Sequence, residues 1–217
     1  VPFDGDDENT HADELLNPLL SSYDHPTWFH LSADKVAVVF QAPTDGVPTP
    51  GSEYPRCELR EMCREDGTAC SEKASWSTMK GFHALNLDLA ITHLPARKEG
   101  VVAAQVHDAT QDLVKVQLMR GDNGKNVLIM TAEGPLGEPL DNDYPLGRRF
   151  SLSIQISGGL MHVYYNRALA FAYTLGDASG CYFKAGVYTQ SNTFVEPGGG
   201  QGLGEVLLYN LAIVHQP

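Results

Sequence analysis

The sequence YFKAGVYTQ, residues 182–190, decides the fold. Successive side chains of a β-strand point to opposite faces, so this run has one polar and one apolar face. The polar face consists of Tyr182, Lys184, Tyr188 and Gln190, with Gly186 between them, and the apolar face consists of Phe183, Ala185 and Val187. A strand that buries one face and presents phenols, an ammonium group and an amide on the other is expected to form part of a binding site.

Two further segments have the same design. In residues 56–60, RCELR, one face carries Arg56, Glu58 and Arg60 while Cys57 and Leu59 face the core, and in residues 105–107, QVH, Gln105 and His107 share a face. Three strands with a polar face each can line one groove.

Most of the chain from residue 35 onward predicts strands. The predicted strands are Val36–Gln41, Arg56–Met62, His83–Ile91, Val101–His107, Leu113–Met119, Asn126–Ala132, Phe150–Ser157, Leu160–Tyr165, Ala168–Thr174, Tyr182–Gln190 and Glu205–Val214. Glycine-rich turns such as residues 121–124, GDNG, mark hairpins between them. This pattern indicates an all-β sandwich with few short helices.

Residues 1–217 are predicted to form a single domain, because 217 residues suffice for one buried sandwich and neither a repeat nor a linker divides them. Residues 1–30 form an N-terminal extension. Its leucines predict a short helix over Asp13–Leu20 that packs on the sandwich.

The cysteines and the termini favour a secreted protein. No apolar stretch approaches the ~20 residues of a membrane span, and residues 1–7 lack the features of a signal peptide, so a mature secreted form is expected. Cys63 and Cys70 flank a polar, turn-rich loop and are expected to form a disulfide. Cys57 and Cys181 form a second bridge or remain buried thiols. Four buried thiols in a cytosolic protein remain the alternative.

The formal net charge of −12 argues against a polyanionic partner at long range. The distribution of the charges along the chain matters more than their sum. Acidic residues crowd the N-terminus, whereas the three polar-faced strands carry Arg56, Arg60 and Lys184. A cationic groove on an acidic body is therefore expected. No basic run suggests nucleic acid. No ligand cluster suggests a metal or another cofactor, and the Cys63-x6-Cys70 spacing without a neighbouring histidine is a poor zinc site.

The three segments resemble the signature blocks of the alginate lyases of polysaccharide lyase family 7, namely R-(S/T)-E-(L/V)-R, Q-(I/V)-H and Y-F-K-A-G-x-Y-x-Q. All three occur in order, within a resemblance that extends from about Phe40 to Tyr209. Cys57 and Thr189 depart from the usual residues but point away from the groove. The resemblance implies a β-jelly roll with a concave substrate groove. It also implies a secreted, monomeric lyase that cleaves the anionic polysaccharide alginate by β-elimination. Val106 in the second block tends to accompany activity on β-1,4-mannuronate, and an open groove favours internal cleavage.

β-Elimination of a 4-linked uronate needs three functions: a cation that neutralises the carboxylate, a base for the C5 proton and an acid for O4. Arginine binds a carboxylate through two hydrogen bonds, an amide donates another, and histidine and tyrosine transfer protons. The catalytic residues predicted in this way, and matched by the resemblance, are Arg60, Gln105, His107 and Tyr188. The predicted substrate-binding residues are Arg56, Glu58, Tyr182, Lys184 and Gln190, with Glu58 orienting the arginines.

Other interpretations remain open. A lyase acting on another β-1,4-polyuronate such as glucuronan needs the same groups, and a noncatalytic carbohydrate-binding jelly roll needs a similar groove. A glycoside hydrolase needs a pair of carboxylates, whereas Glu58 is the only acidic residue on the three polar faces. Loops 42–52 and 196–202 either cover the groove or are ordinary connections.

Overall fold

A computed structural model of the chain describes residues 1–3, 11–65, 68–132, 137, 139–197 and 202–217, with backbone only for residues 64, 65, 68–71 and 132. Within these residues the chain is almost entirely β-structure. Its elements are a 3₁₀ helix Leu19–Ser22 and the strands β1 Phe29–Leu31, β2 Val38–Pro43, β3 Arg56–Arg60, β4 Met62–Glu65, β5 Thr68–Lys73, β6 Phe82–His93, β7 Gly100–His107, β8 Asp112–Arg120, β9 Asn126–Ala132, β10 Pro139–Asp141, β11 Phe150–Ser157, β12 Leu160–Tyr165, β13 Ala168–Thr174, β14 Tyr182–Thr189 and β15 Leu203–Gln216.

Two antiparallel sheets form the sandwich. The seven-stranded sheet has the order β1-β2-β15-β6-β11-β12-β13, and the six-stranded sheet has the order β10-β9-β8-β7-β14-β3. Strands β4 and β5 form a separate hairpin. The predicted all-β class is confirmed, and β3, β14 and β7 lie side by side, as the motif segments required.

The core lies between the two sheets. Strand β11 alternates strictly, with Phe150, Leu152, Ile154 and Ile156 buried. Phe183 supplies one of the large buried side chains of the six-stranded sheet. Complete burial of such a side chain stabilises the fold by roughly 1.5 to 3 kcal/mol. In β14 the same alternation leaves Tyr182, Lys184 and Tyr188 on the opposite face of the six-stranded sheet.

The helix predicted over Asp13–Leu20 is wrong. Only the 3₁₀ helix Leu19–Ser22 forms there, and Leu16 and Leu19 are exposed rather than packed on the sandwich. Pro18 explains the difference, because proline lacks the backbone N–H of a helix interior and disfavours helical geometry at the preceding residue.

All eleven predicted strands form, with shifts at several ends. The strand predicted over Arg56–Met62 is divided at Glu61, because the chain there leaves the six-stranded sheet and Met62 pairs with Lys73 of β5. Strands β1, β5 and β10 were not predicted.

The cysteines occupy two environments. Cys63 is disulfide-bonded. The side chain of Cys70 lies outside the described residues, so the pairing of these two residues stays a prediction. Cys57 and Cys181 are free, buried thiols rather than a second bridge.

Candidate active site

The register of three adjacent strands brings the polar side chains together. Lys184 of β14 lies opposite Arg60 of β3 and opposite Gln105 of β7. At the two ends of this cluster, Tyr182 lies opposite His107, and Tyr188 lies opposite Arg56. The three sequence motifs therefore form one continuous polar surface, which we call the motif face.

Glu58 is the centre of the motif face. Its Oε2 atom lies 2.7 Å from Nζ of Lys184 and 3.3 Å from a terminal nitrogen of Arg56, and its Oε1 atom accepts a 2.5 Å hydrogen bond from Nε2 of Gln105. Burial alone would raise the pKa of Glu58. The attraction of Lys184 and Arg56, with the hydrogen bonds from Lys184 and Gln105, outweighs burial and holds that pKa below its ordinary value. Glu58 is therefore a buried carboxylate that positions three other groups.

Gln105 connects Glu58 to His107. Because the Glu58 carboxylate only accepts, the amide nitrogen of Gln105 must face it, which leaves Oε1 of Gln105 to accept from Nε2 of His107 at 3.2 Å. This arrangement fixes the proton of neutral His107 on Nε2. Its Nδ1 atom then carries the lone pair.

His107 is held in its neutral form. Burial first, and then the positive charge of Lys184, lower the pKa of His107 below its ordinary value of 6.5. Its ring stacks on Tyr182, with centroids 5.2 Å apart and planes at 14°. An oriented, neutral imidazole at neutral pH can accept a proton.

Arg60 is placed by an aromatic ring rather than by a carboxylate. Its guanidinium carbon lies 3.7 Å from the ring centroid of Tyr182, and its buried Nε atom has no hydrogen-bond partner among the described residues. Burial raises the pKa of Tyr182, so this residue stays a neutral phenol. Because no carboxylate of the described residues pairs with it, the guanidinium of Arg60 suits a carboxylate ligand.

Tyr188 lies at the opposite end of the motif face. The guanidinium carbon of Arg56 is 3.8 Å from the centroid of its ring, and Oγ of Ser52 is 3.2 Å from its hydroxyl oxygen. The Nε atom of Arg56 is buried without a partner among the described residues, as in Arg60. A phenol between a cation and a hydroxyl suits proton transfer.

Two predicted substrate contacts differ in their surroundings. Lys184 is directed at Glu58 and its side chain is 11% exposed, so it supports the site more than it contacts ligand. Gln190 lies just beyond β14 beside Gly100, and its amide donates a 2.9 Å hydrogen bond to the carbonyl oxygen of Thr189.

Sequence reasoning missed three residues near Tyr188. Ser52 ends the loop 42–52, the ring of Tyr54 lies 6.3 Å from that of Tyr188, and Nζ of Lys98 donates a 2.7 Å hydrogen bond to the hydroxyl of Tyr54. The loop thus reaches one end of the motif face, which favours the first of its two interpretations. The position of Ser52 and Tyr54 directly before the first motif was the available signal. Residues 198–201 of the second candidate loop lie outside the described part of the chain.

The described residues were also searched for a metal site and for a membrane-spanning helix. They contain no group of three or more histidine, cysteine, aspartate or glutamate side chains suited to a metal ion. Among them no helix has the length and apolarity needed to cross a membrane.

Comparison with known proteins establishes the family. The family described as alginate lyase matches residues 1–215. The fold is similar to that of the alginate lyase AlgAT5 from polysaccharide lyase family 7, at 45% identity over 95% of this chain and 90% of that chain with a TM-score of 0.85. It is also similar to the alginate lyase from Corynebacterium sp., at 37% identity over 92% and 86% of the two chains with a TM-score of 0.84. The chain belongs to the alginate lyases of polysaccharide lyase family 7.

A more distant relative was solved with a ligand. The family 7 alginate lyase A1-II′ in complex with the substrate GGMG is 25% identical over 91% of this chain and 85% of that chain, with a TM-score of 0.74. Among curated proteins, none matches the sequence.

Proposed function

We propose that this alginate lyase is a secreted, monomeric enzyme that cleaves internal bonds of alginate and acts on β-1,4-mannuronate in preference to guluronate. The observation that carries the proposal is the convergence of Tyr188, His107, Arg56 and Arg60 on one sheet face. The acidic residue among them, Glu58, is engaged by Lys184, Arg56 and Gln105 and is therefore unsuited to proton transfer.

Arg60 and Arg56 bind the uronate carboxylate in this proposal. Each guanidinium is held over a tyrosine ring, and Arg60 forms no ion pair with a described residue. A charge-assisted pair with the carboxylate neutralises it, which makes C5–H more acidic and stabilises the enolate-like transition state. Gln105 contributes mainly through His107 and Glu58, since one of its N–H groups is already used.

Tyr188 transfers the proton in mannuronate. There the C5 proton and O4 leave from the same side of the ring, so the Tyr188 phenolate can take the proton from C5. The electrons of the C5–H bond form the C4=C5 double bond, the C4–O4 bond breaks, and the leaving O4 takes the proton from Tyr188. The phenolate is regenerated without another reagent.

One observation favours activity on guluronate as well. In guluronate the C5 proton and O4 leave from opposite sides, which requires a base across from Tyr188. Neutral His107 with its lone pair on Nδ1 supplies such a base. We therefore propose a slower but measurable reaction on guluronate.

Separate observations support internal cleavage and secretion. The motif face spans three adjacent strands from His107 to Tyr188, on which a polymer can lie without presenting an end. The disulfide-bonded Cys63 is typical of an oxidising compartment. Rapid loss of alginate viscosity relative to product formation would support internal cleavage, and a constant viscosity during product release would contradict it.

The substrate proposal is tested by initial rates on polymannuronate, polyguluronate and glucuronan at equal uronate concentration. Elimination creates a conjugated double bond that absorbs in the ultraviolet, which separates a lyase from a hydrolase or a binding module. The expected order is polymannuronate first. A faster rate on polyguluronate would contradict the preference, and a faster rate on glucuronan would keep the mechanism but change the substrate.

A further inference from the structure

The hydroxyl of Ser52 contacts two side chains of the motif face in addition to the backbone of its own loop. Its Oγ atom accepts a 2.8 Å hydrogen bond from a terminal nitrogen of Arg56 and lies 3.2 Å from the hydroxyl oxygen of Tyr188. It also lies 3.3 Å from the backbone nitrogen and 3.2 Å from the carbonyl oxygen of Tyr54. One hydroxyl therefore joins a cation, a phenol and the loop backbone.

Counting protons defines what this hydroxyl can do. The Arg56 nitrogen and the backbone N–H of Tyr54 only donate, so together they occupy both lone pairs of Ser52 Oγ. The single proton of Ser52 is then available to the carbonyl of Tyr54 or to the oxygen of Tyr188. When Tyr188 is a neutral phenol, its oxygen can accept the proton of Ser52 but Tyr188 cannot donate in return, because the lone pairs of Ser52 are occupied. When Tyr188 is a phenolate it can only accept, so the proton of Ser52 turns toward it.

Arg56 strengthens this arrangement. Its guanidinium lies over the ring of Tyr188 and also donates to Ser52, so the same cation acts on the phenol directly and through the hydroxyl. Hydrogen bonds in such a chain polarise one another. The other charged or titratable groups around Tyr188 are Tyr54, Lys98 beyond it, and Glu58, which is paired with Arg56.

We propose that Ser52 is a positioning residue for Tyr188: it donates a hydrogen bond to the phenolate and orients its oxygen toward the C5 proton and O4. This inference rests on the proposed proton-transfer role of Tyr188. Ser52 acts through Tyr188 and does not itself exchange a proton with substrate.

The test compares Ser52→Ala, Ser52→Thr and Tyr188→Phe on polymannuronate across a range of pH. Ser52→Ala should lower kcat at least about tenfold with KM within about twofold, because the hydrogen bond acts in the transition state and not on substrate binding. Ser52→Thr, which keeps the hydroxyl, should restore kcat.

Two further variants separate a specific role from a structural one. Ser32→Ala is a matched control, because Ser32 also bridges a turn through its hydroxyl but lies in the loop between β1 and β2. It should behave like wild type. In the Tyr188→Phe background, Ser52→Ala should cause no additional loss of the residual rate.

The outcomes are distinguishable. An unchanged kcat in Ser52→Ala, with an inactive Tyr188→Phe, would overturn the role of Ser52 and leave the proposed function intact. A raised KM at unchanged kcat would also overturn it, because the serine would then only hold the loop. An active Tyr188→Phe would overturn the proposed function itself.

Discussion

The ammonium group of Lys184 lies 2.7 Å from a carboxylate oxygen of Glu58, although Lys184 stands opposite Arg60 in the strand register. The two side chains are 11% and 2% exposed. Glu58 thereby gathers Lys184, Arg56 and Gln105 around one buried charge.

Glu58→Gln should destabilise the protein and remove most of its activity. The substitution leaves Lys184 and Arg56 without their anionic partner, and breaking one partner of a buried pair typically costs about 3 to 5 kcal/mol. Urea unfolding at pH 7 measures the change, with Glu14→Gln as a control because the Glu14–Lys73 pair is largely exposed. A destabilisation no larger than that of the control would contradict the central role of Glu58.

The contribution of Glu58 should depend on pH with a defined sign. Its pKa in the folded protein is below the ordinary value of 4.5, so the unfolded chain takes up the proton first on acidification. The stabilisation is fully present above pH 4.5 and is lost as the pH falls through the lowered value. The difference in unfolding free energy between wild type and Glu58→Gln should therefore shrink as the pH falls from 4.5 through the lowered pKa. A constant difference over this range would contradict the lowered pKa of Glu58.

His107 should set the acidic limb of the activity profile on polyguluronate, where it is the proposed base. Because its pKa is below 6.5, the rate should fall only at a pH below that value. Asp112 lies opposite His107 in the register and raises this pKa, so Asp112→Asn should move the limb to still lower pH. A shift in the other direction would exclude this electrostatic account.

His83 and His215 form a second titratable cluster, outside the motif face. Their Nδ1 atoms lie 2.6 Å apart, while Nε2 of His83 lies 2.7 Å from the carbonyl oxygen of Lys80 and Nε2 of His215 lies 2.5 Å from Oε1 of Glu61. Burial lowers the pKa of His83 and therefore favours its neutral form.

This cluster predicts sensitivity to acid. Because the folded pKa of His83 is below 6.5, the unfolded chain binds the proton first, and stability should fall as the pH decreases from 6.5 toward the lowered value. The slope of unfolding free energy against pH should be smaller in His83→Asn than in wild type, and unchanged in the control His162→Asn. Equal slopes in all three proteins would refute the assignment.

The cysteines give a chemical prediction. Burial raises the pKa of Cys57 to about 12 and that of Cys181 to about 11, so neither should react with an alkylating reagent at pH 8 in the folded protein. Both should react after unfolding.

Mass spectrometry of nonreduced peptides should find Cys63 joined to Cys70, and a free thiol at either position would contradict that pairing.

Alternation of side chains made much of the fold predictable. The period of two in β11 and β14 gave both the strands and their buried faces, and the three motifs gave the side chains of the motif face. The helix prediction over residues 13–20 was wrong because Pro18 prevents the helix that the apolar stripe of leucines favours.

The hydrogen-bond directions of the site could not be predicted. Whether Gln105 faces substrate or Glu58 depends on a contact between residues 47 positions apart, and the position of Ser52 beside Tyr188 depends on loop geometry over 136 positions. The polar face of a strand follows from the local alternation of its side chains. The Gln105–Glu58 and Ser52–Tyr188 contacts form only when distant segments of the chain are placed side by side.

The most direct test of the account follows ultraviolet absorbance as purified wild type and Tyr188→Phe act on polymannuronate. The account predicts a steady rise for wild type and, for a folded Tyr188→Phe protein, a rate at least about a hundredfold lower, since general acid–base catalysis contributes at least that factor. A Tyr188→Phe rate within about tenfold of wild type, equivalent to less than ~1.4 kcal/mol of barrier, would contradict the proposed proton transfer by Tyr188.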